Sequence, residues 1–287
     1  MIAISINDCT PEFALVQADF TGHFLAIEKI PFGMLGGDIM AGMKTIAALS
    51  SVMADLKSKG SEKTRKIYAN HGMPAERSFG VSNADLKVIA KSIKGQQALA
   101  CELFATGNVD AMYLAGLVAD GAKMSAAELQ SWAEGAAGLS MIAEYSVPWV
   151  TVESAHAWEM PARWIETGME PGPGNLATSG WTTYSGLVAT VEDQALDLAL
   201  IEGLLSRVVQ EIHSTQNRVR YTMNGFVISV GSYVLPLATR AKAAAKEIGP
   251  VSVQMGNTAC MVPAALEYIA KVETAGKAGK KRKTIRC

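Results

Sequence analysis

Apolar residues recur every three or four positions along most of this chain, and strictly alternating apolar runs are scarce. That period predicts amphipathic helices. Gly, Pro, Asn or Ser interrupts it about every 10–20 residues, so the helices are short. Between about Thr45 and Lys59 the pattern sets Ile46, Leu49, Met53 and Leu56 on one face, with Gly60 as the stop. Ser61 is placed to cap a helix running towards Tyr68, which Asn70-His71-Gly72 breaks. Ser82 starts the next, with Leu86, Ile89, Ala90 and Ile93 inward. Gln96 to Thr106 continues the series and ends at Gly107. Asn108 caps a helix containing Met112 and Leu114, and Ser125 with Glu128 matches a capping box ahead of Leu129 and Trp132. Pro161 suits the first turn of a helix through Trp164 and Ile165, and Pro171-Gly-Pro-Gly174 is a break. Further helices are predicted over Trp181 to Thr190, Asp193 to Ile212, Tyr221 to Val234, Leu237 to Ile248 and Val262 to Thr274.

About a dozen short helices joined by tight turns suit two architectures. One is a stack of helical hairpins, each buried against its neighbours. The other is an irregular helical bundle. Residues 1–42 fit neither. They mix isolated polar residues with breaks at Pro11, Pro31 and Gly36-Gly37, and patterned helix begins after Met40 or Met43. They are expected to form a poorly patterned, weakly ordered N-terminal extension, ahead of a helical domain over 43–274 and a basic tail over 275–287.

Composition and charge narrow the function. Hydrophobic residues make up 49% of the 287 residues and charged residues 18%, enough apolar material for a sizeable core. No apolar run reaches the roughly 18–20 residues needed to span a membrane. No basic start leads into an apolar stretch, so a cytoplasmic protein is expected. The cysteines Cys9, Cys101, Cys260 and Cys287 are scattered, and the histidines show no HxxxH or HExxH spacing, so no metal site and no cofactor are expected. The formal charge is −1, but it conceals a division: from Lys277 onward there are six basic residues and no acid. The preceding residues carry 20 basic against 27 acidic side chains, a balance of −7.

That division makes the basic positions worth singling out. Lys280, Lys281, Arg282, Lys283 and Arg286 form a local cationic cluster suited to phosphate contact, or else a solvated tail. Ile285 and Cys287 beside the charges suggest that this segment docks. Arg218 and Arg220, flanked by Asn217 and Tyr221, form a second candidate phosphate patch, and Lys87, Lys91 and Lys94 share one helix face. Trp149, Trp158, Trp164 and Trp181 are core residues by their helical spacing, and the lone His156 and His213 read as surface or satisfied core positions.

Several segments, in order, resemble one family. They are Phe79-Gly-Val-Ser-Asn-Ala-Asp-Leu-Lys87, Ala98-Leu-Ala-Cys-Glu-Leu-Phe-Ala-Thr-Gly-Asn108 and Met112-Tyr-Leu-Ala-Gly-Leu-Val-Ala-Asp120. Ile248-Gly-Pro-Val-Ser-Val-Gln-Met-Gly-Asn-Thr-Ala-Cys260 and Gly279-Lys-Lys-Arg-Lys-Thr-Ile-Arg-Cys287 follow. Over about 45–287 the chain resembles the DNA alkylation repair family, the AlkD-type proteins. The resemblance implies an all-α superhelix of HEAT/ARM-like helical repeats whose concave face holds duplex DNA. It implies a glycosylase that releases cationic N3- or N7-alkylpurines. In such enzymes aromatic faces and a carboxylate stabilise the cationic sugar as the glycosidic bond breaks.

The family's catalytic helix carries a Trp and, one turn later, an Asp. The matching stretch is Leu139-Ser-Met-Ile-Ala-Glu-Tyr145, with Ser140 at the Trp position and Glu144 at the Asp position. Glu144 is therefore the catalytic carboxylate the resemblance implies; by itself it also reads as a solvated or capping residue. A second family Trp falls on Gly225, beside Phe226, and a family Arg falls at Ala177-Thr178. The missing groups keep open a non-catalytic member that binds DNA or a protein as a scaffold. The acidic body also leaves room for a helical-repeat adaptor with no nucleic-acid role.

Overall fold

The computed structural model describes the backbone of residues 3–5, 13–18, 24–29, 32–169 and 175–286, and the side chains of 42–167 and 176–286. The break at Pro171-Gly-Pro-Gly174 and the terminal Cys287 lie outside the described residues. The chain divides into two units, Met1–Val52 and Met53–Cys287.

In the first unit, strands β1 (Ala3–Ser5), β2 (Phe13–Ala18) and β3 (Phe24–Lys29) form an antiparallel sheet in the order β1-β2-β3. Val16 stands opposite Ile27, and the register shifts at Gln17/Ala18. Helix α1 (Phe32–Lys59) begins ahead of the expected Met40 to Met43 onset. Gly36, Gly37 and Gly42 have no side chains to extend an apolar stripe, so the pattern is silent over backbone that is helical. Farther along, Val52 and Leu56 are buried while Ile46, expected on the same inner face, is exposed.

Among the described residues of the second unit every regular element is helical. In chain order these are α2 (Glu62–Asn70), α3 (Asn83–Ser92), α4 (Gln97–Ala105), α5 (Val109–Val118) and α6 (Ala126–Gly135). Then come α7 (Val147–Val152), α8 (Glu159–Trp164), α9 (Asn175–Thr190) and α10 (Leu198–Glu211). The last are α11 (Asn217–Tyr233), α12 (Ala238–Ile248) and α13 (Ala265–Thr274). Ser61, Ser82, Asn108 and Ser125 accept backbone N–H bonds at the helix starts where the sequence placed them, and the Ser125–Glu128 capping box is complete. Four helices start elsewhere: α9 precedes Trp181, α10 is capped by Asp197, α11 begins before Tyr221, and α13 begins at Ala265, after Val262.

One row runs α3, α5, α7, α9, α11 and α13, each packed on the next, with α4, α6, α8, α10 and α12 forming a second layer. Each helix thus buries its stripe against its neighbours in the stack. Trp149, Trp164 and Trp181 are core residues, as their spacing indicated, and Trp158 packs against the core part-buried. No helix among the described residues is long and apolar enough to cross a membrane.

Two polar devices tie the stack together. The first is the carboxylate of Asp110 in the first turn of α5, which is fully buried. Its Oδ2 accepts from Ser78 Oγ at 2.9 Å, Phe79 N at 2.6 Å and Gly80 N at 3.2 Å, and its Oδ1 accepts from Val81 N at 2.9 Å. Four donors on one buried carboxylate offset its loss of water. They fix the Ser78–Val81 turn between α2 and α3. Gly80 adopts φ +77° there, and a Cβ on it would lie 2.4 Å from the Ser61 carbonyl oxygen, so no other residue fits. Tyr68 donates to the Val81 carbonyl at 2.7 Å, and burial, then the Asp110 charge, pushes its phenol up to about 12.

The second device is the C-terminal segment. It docks along the stack and meets the C-terminal ends of three helices. Gly279 N donates to Ser232 O at the end of α11, and Arg282 N to Ala189 O at the end of α9, each at 2.8 Å. Lys281 Nζ donates to Val188 O at 2.9 Å and pairs with Asp193 at 2.8 Å. Arg286 donates to Gly116 O at 2.7 Å and Ala119 O at 2.8 Å, at the end of α5, and pairs with Glu153 through both carboxylate oxygens. Ile285 lies over Gly186. Helix C-termini present unpaired carbonyls and partial negative charge, which these cations and N–H groups satisfy.

Two outcomes follow for stability. Asp110→Asn, which turns an amide against backbone donors, is expected to cost about 3 kcal/mol or more in urea denaturation. Arg286→Ala is expected to cost about 1.5–3 kcal/mol. Lys280→Ala and Lys283→Ala, at exposed positions, should stay within about 0.5 kcal/mol of the parent.

Candidate functional site

The segment between α6 and α7 departs from regular helix, and its sequence says why. Pro148 has no N–H to give to the carbonyl of Glu144, one turn back. Residues Ile142–Ser146 adopt a π-helical turn in which the Val147 N–H bonds to Ile142 O. Ala143 O, left without its usual partner, accepts from Ser179 Oγ at 2.9 Å. This wide turn carries Glu144 to the wall of a cleft of about 1170 Å³ and leaves Tyr145 42% exposed on the same wall.

The cleft is built from helices spread along the row. Tyr68 of α2, Tyr113 of α5, Ser140, Glu144 and Tyr145 line it, with Thr178 of α9 and Arg218 and Tyr221 of α11. The loop between α12 and α13 covers it with Gln254, Met255, Gly256 and Met261. This loop is anchored at both margins. Asn217 donates to Gln254 O at 2.9 Å and accepts from Gln254 N at 2.7 Å. On the far side Asn257 N donates to Asn70 O, at the end of α2, at 2.8 Å. Gly256, at φ +73°, passes so close that a Cβ would sit 2.2 Å from the Asn70 oxygen. The loop thereby joins α2 to α11.

At the centre, Arg218 Nε donates to Glu144 Oε1 at 2.7 Å and Nη2 to Oε2 at 2.6 Å, a two-pronged pair. The guanidinium carbon lies 4.4 Å from the centroid of the Tyr221 ring, and Nη1 reaches the Met255 sulfur at 3.5 Å. Glu144 is only 8% exposed. Burial pushes its carboxyl above the ordinary range, against the pull of Arg218. Burial, then the Glu144 charge, raises the Tyr221 phenol. Among the lining residues Arg218 is the one Lys or Arg and Glu144 the one Asp or Glu, so the charges of the cleft cancel.

Of the residues singled out in the sequence, Glu144 and Arg218 come together here, and they engage each other. Arg220 is elsewhere: it donates to Thr215 O and Ser252 O, each at 3.1 Å. Lys281 and Arg286 are turned inward in the docked C-terminal segment. Lys280, Arg282 and Lys283 of that segment are exposed, as are Lys87, Lys91 and Lys94. His156 pairs with Glu159 at 3.1 Å and His213 meets Ile248 O at 2.8 Å. Among the described residues no three His, Cys, Asp or Glu side chains gather as a metal site would need. Sequence reasoning gave no site role to Tyr68, Tyr113 or Tyr145, and met the covering loop only as part of the family resemblance. Tyr145, next to Glu144 in the stretch already singled out, was the available signal. Ser140 and Thr178, at positions where the resemblance implies a Trp and an Arg, also line the cleft, while Gly225 does not.

Comparison with known proteins points one way. The family model for "DNA alkylation repair enzyme" matches residues 52–157. Uncharacterised proteins from Listeria innocua and Listeria monocytogenes are each 30% identical over 220 residues, 76% of this chain and 93% of theirs. A solved structure, from work on "a new family of proteins related to the HEAT-like repeat DNA glycosylases with affinity for branched DNA structures", matches with a TM-score of 0.75 at 37% identity. The match covers 83% of this chain and 99% of that one.

The Glu144–Arg218 pair can be isolated by a double-mutant cycle. Glu144→Leu alone strands a part-buried guanidinium and is expected to cost about 3–5 kcal/mol. Glu144→Leu combined with Arg218→Met should be the more stable of the two in urea titrations.

Proposed function

The chain belongs to the DNA alkylation repair enzyme family, with its HEAT-like helical-repeat fold, and on that premise we propose that it binds branched DNA without excising a base. The observation that carries this reading is the pairing of Glu144 with Arg218. Departure of an alkylpurine leaves positive charge on the sugar. A carboxylate about 4 Å from that charge contributes about 4 kcal/mol at an effective dielectric of 20. A guanidinium held on the same carboxylate opposes most of that field. Two further features support the reading. Ser140 and Gly225 supply no aromatic wall, and Gly225 has nothing within 4 Å of where a side chain would begin.

The choice of branched DNA follows the similar solved structure, which comes from a family described as having affinity for branched DNA structures. Phosphate contacts in this reading fall to the exposed cations of α3 and of the C-terminal segment. Lys280, Arg282 and Lys283 remain candidates, whereas Lys281, Arg286 and Arg220 are held by protein partners. With an acidic body, such contacts are few and local, and binding falls moderately with salt.

Two measurements test the reading. Duplex DNA carrying N7-methylguanine or N3-methyladenine should show no base release above the uncatalysed rate. Gel-shift titration should show a four-way or three-way junction bound more tightly than a linear duplex of equal length. Replacing Lys280, Arg282 and Lys283 with Ala should weaken both complexes alike and lower the salt slope by up to about 3. Base release that disappears in Glu144→Gln would overturn the non-excising reading. Equal affinity for junction and duplex would overturn the branched one.

A further inference from the structure

We infer that the cleft receives a single unpaired nucleobase from the bound DNA while its phosphates stay outside. This rests on the DNA-binding reading above and names what occupies the site. Size is the first argument. A volume of about 1170 Å³ is near that of small-ligand sites, about 300–1,000 Å³, and far below what a duplex requires. The loop tied to Asn70 on one margin and Asn217 on the other keeps a duplex out of the cleft.

Chemistry is the second argument. A phosphate would need a cation, and the one arginine of the lining already serves the one carboxylate. Besides His71 and Cys260, what remains are aromatic rings, methionines, small aliphatic side chains and uncharged polar groups, a lining suited to a flat, neutral molecule with hydrogen-bonding edges. Tyr145 supplies the platform. Its ring is 42% exposed, yet it is held at 5.8 Å from Trp149 and 6.3 Å from Tyr113, ring centre to ring centre. Trp149 and Tyr113 are themselves buried and in edge contact at 5.1 Å. A fixed aromatic face pays little ordering entropy on stacking with a base. Met261, contributed to the same lining by the covering loop, is 87% exposed, a flexible apolar side chain free to move against a bound base.

Branched DNA is where such a base is found. At a junction, stacking is already interrupted, so drawing out a nucleotide costs least there. Stacking on an aromatic side chain contributes about 1–3 kcal/mol per base. The cleft would thus convert the cost difference between a branch point and a regular duplex into selectivity.

The test uses a three-way junction with one unpaired thymine at its branch, and the same junction with an abasic tetrahydrofuran unit there. The full-length protein should bind the thymine junction about 5–150-fold more tightly. Tyr145→Ala should bind both forms with the weaker affinity, and Tyr145→Phe should restore the difference. Met261→Ala, at a position too exposed to affect folding, should narrow it. Permanganate oxidation of the unpaired thymine should be suppressed in the saturated complex and recover in Tyr145→Ala. Equal wild-type affinity for thymine and abasic junctions would overturn the inference while leaving branched-DNA binding intact. Failure to bind any junction would instead overturn the reading it rests on.

Discussion

A fold made of many short helices has many helix ends, and each end leaves backbone groups that need partners. That requirement governs this molecule. Serine and asparagine caps meet it at single helices. Asp110 meets it for a whole turn, collecting three backbone N–H groups and a hydroxyl on one buried carboxylate. The C-terminal segment meets it at the opposite pole, bringing N–H groups and cations to the ends of α5, α9 and α11. One pattern runs through these contacts: Asp110, Lys281 and Arg286 each give up water where backbone groups meet them.

The same logic redistributes the charge seen in the sequence. Lys281 and Arg286 belong to the cationic cluster near the C-terminus, yet they face Asp193 and Glu153 and the helix carbonyls beside them. Arg218 faces Glu144. An ion pair of this kind stabilises a structure less than its closeness suggests, because both ions give up water. What it does securely is fix geometry: here it holds the π-helical turn against the start of α11 and sets the level at which the cleft begins.

Much of the fold was legible because its signals are local. A cap needs a serine and a donor within three residues, and Ser82 and Ser125 show both. Pro148 was an equally local signal of the interrupted helix, left unread in the sequence. The α1 start was hidden, since glycines at 36, 37 and 42 erase periodicity without erasing helix. The site was legible only in part. Glu144 could be found by its place in the stretch Leu139 to Tyr145, but its partner lies 74 residues away, and no spacing rule links the two. The inward turn of Lys281 and Arg286 was invisible for a related reason: a run of basic residues looks alike whether it faces water or the carbonyls of three distant helices.

The loop that reaches from Asn217 to Asn70 has a mechanical meaning as well. A stack of repeats in which each touches the next behaves as a spring, opening and closing by small rotations that add along its length. Joining α2 to α11 by one short span makes that spring a clasp. Its stiffness then resides in a few hydrogen bonds across the mouth, around Gly256, and no longer in the sum of its helical interfaces.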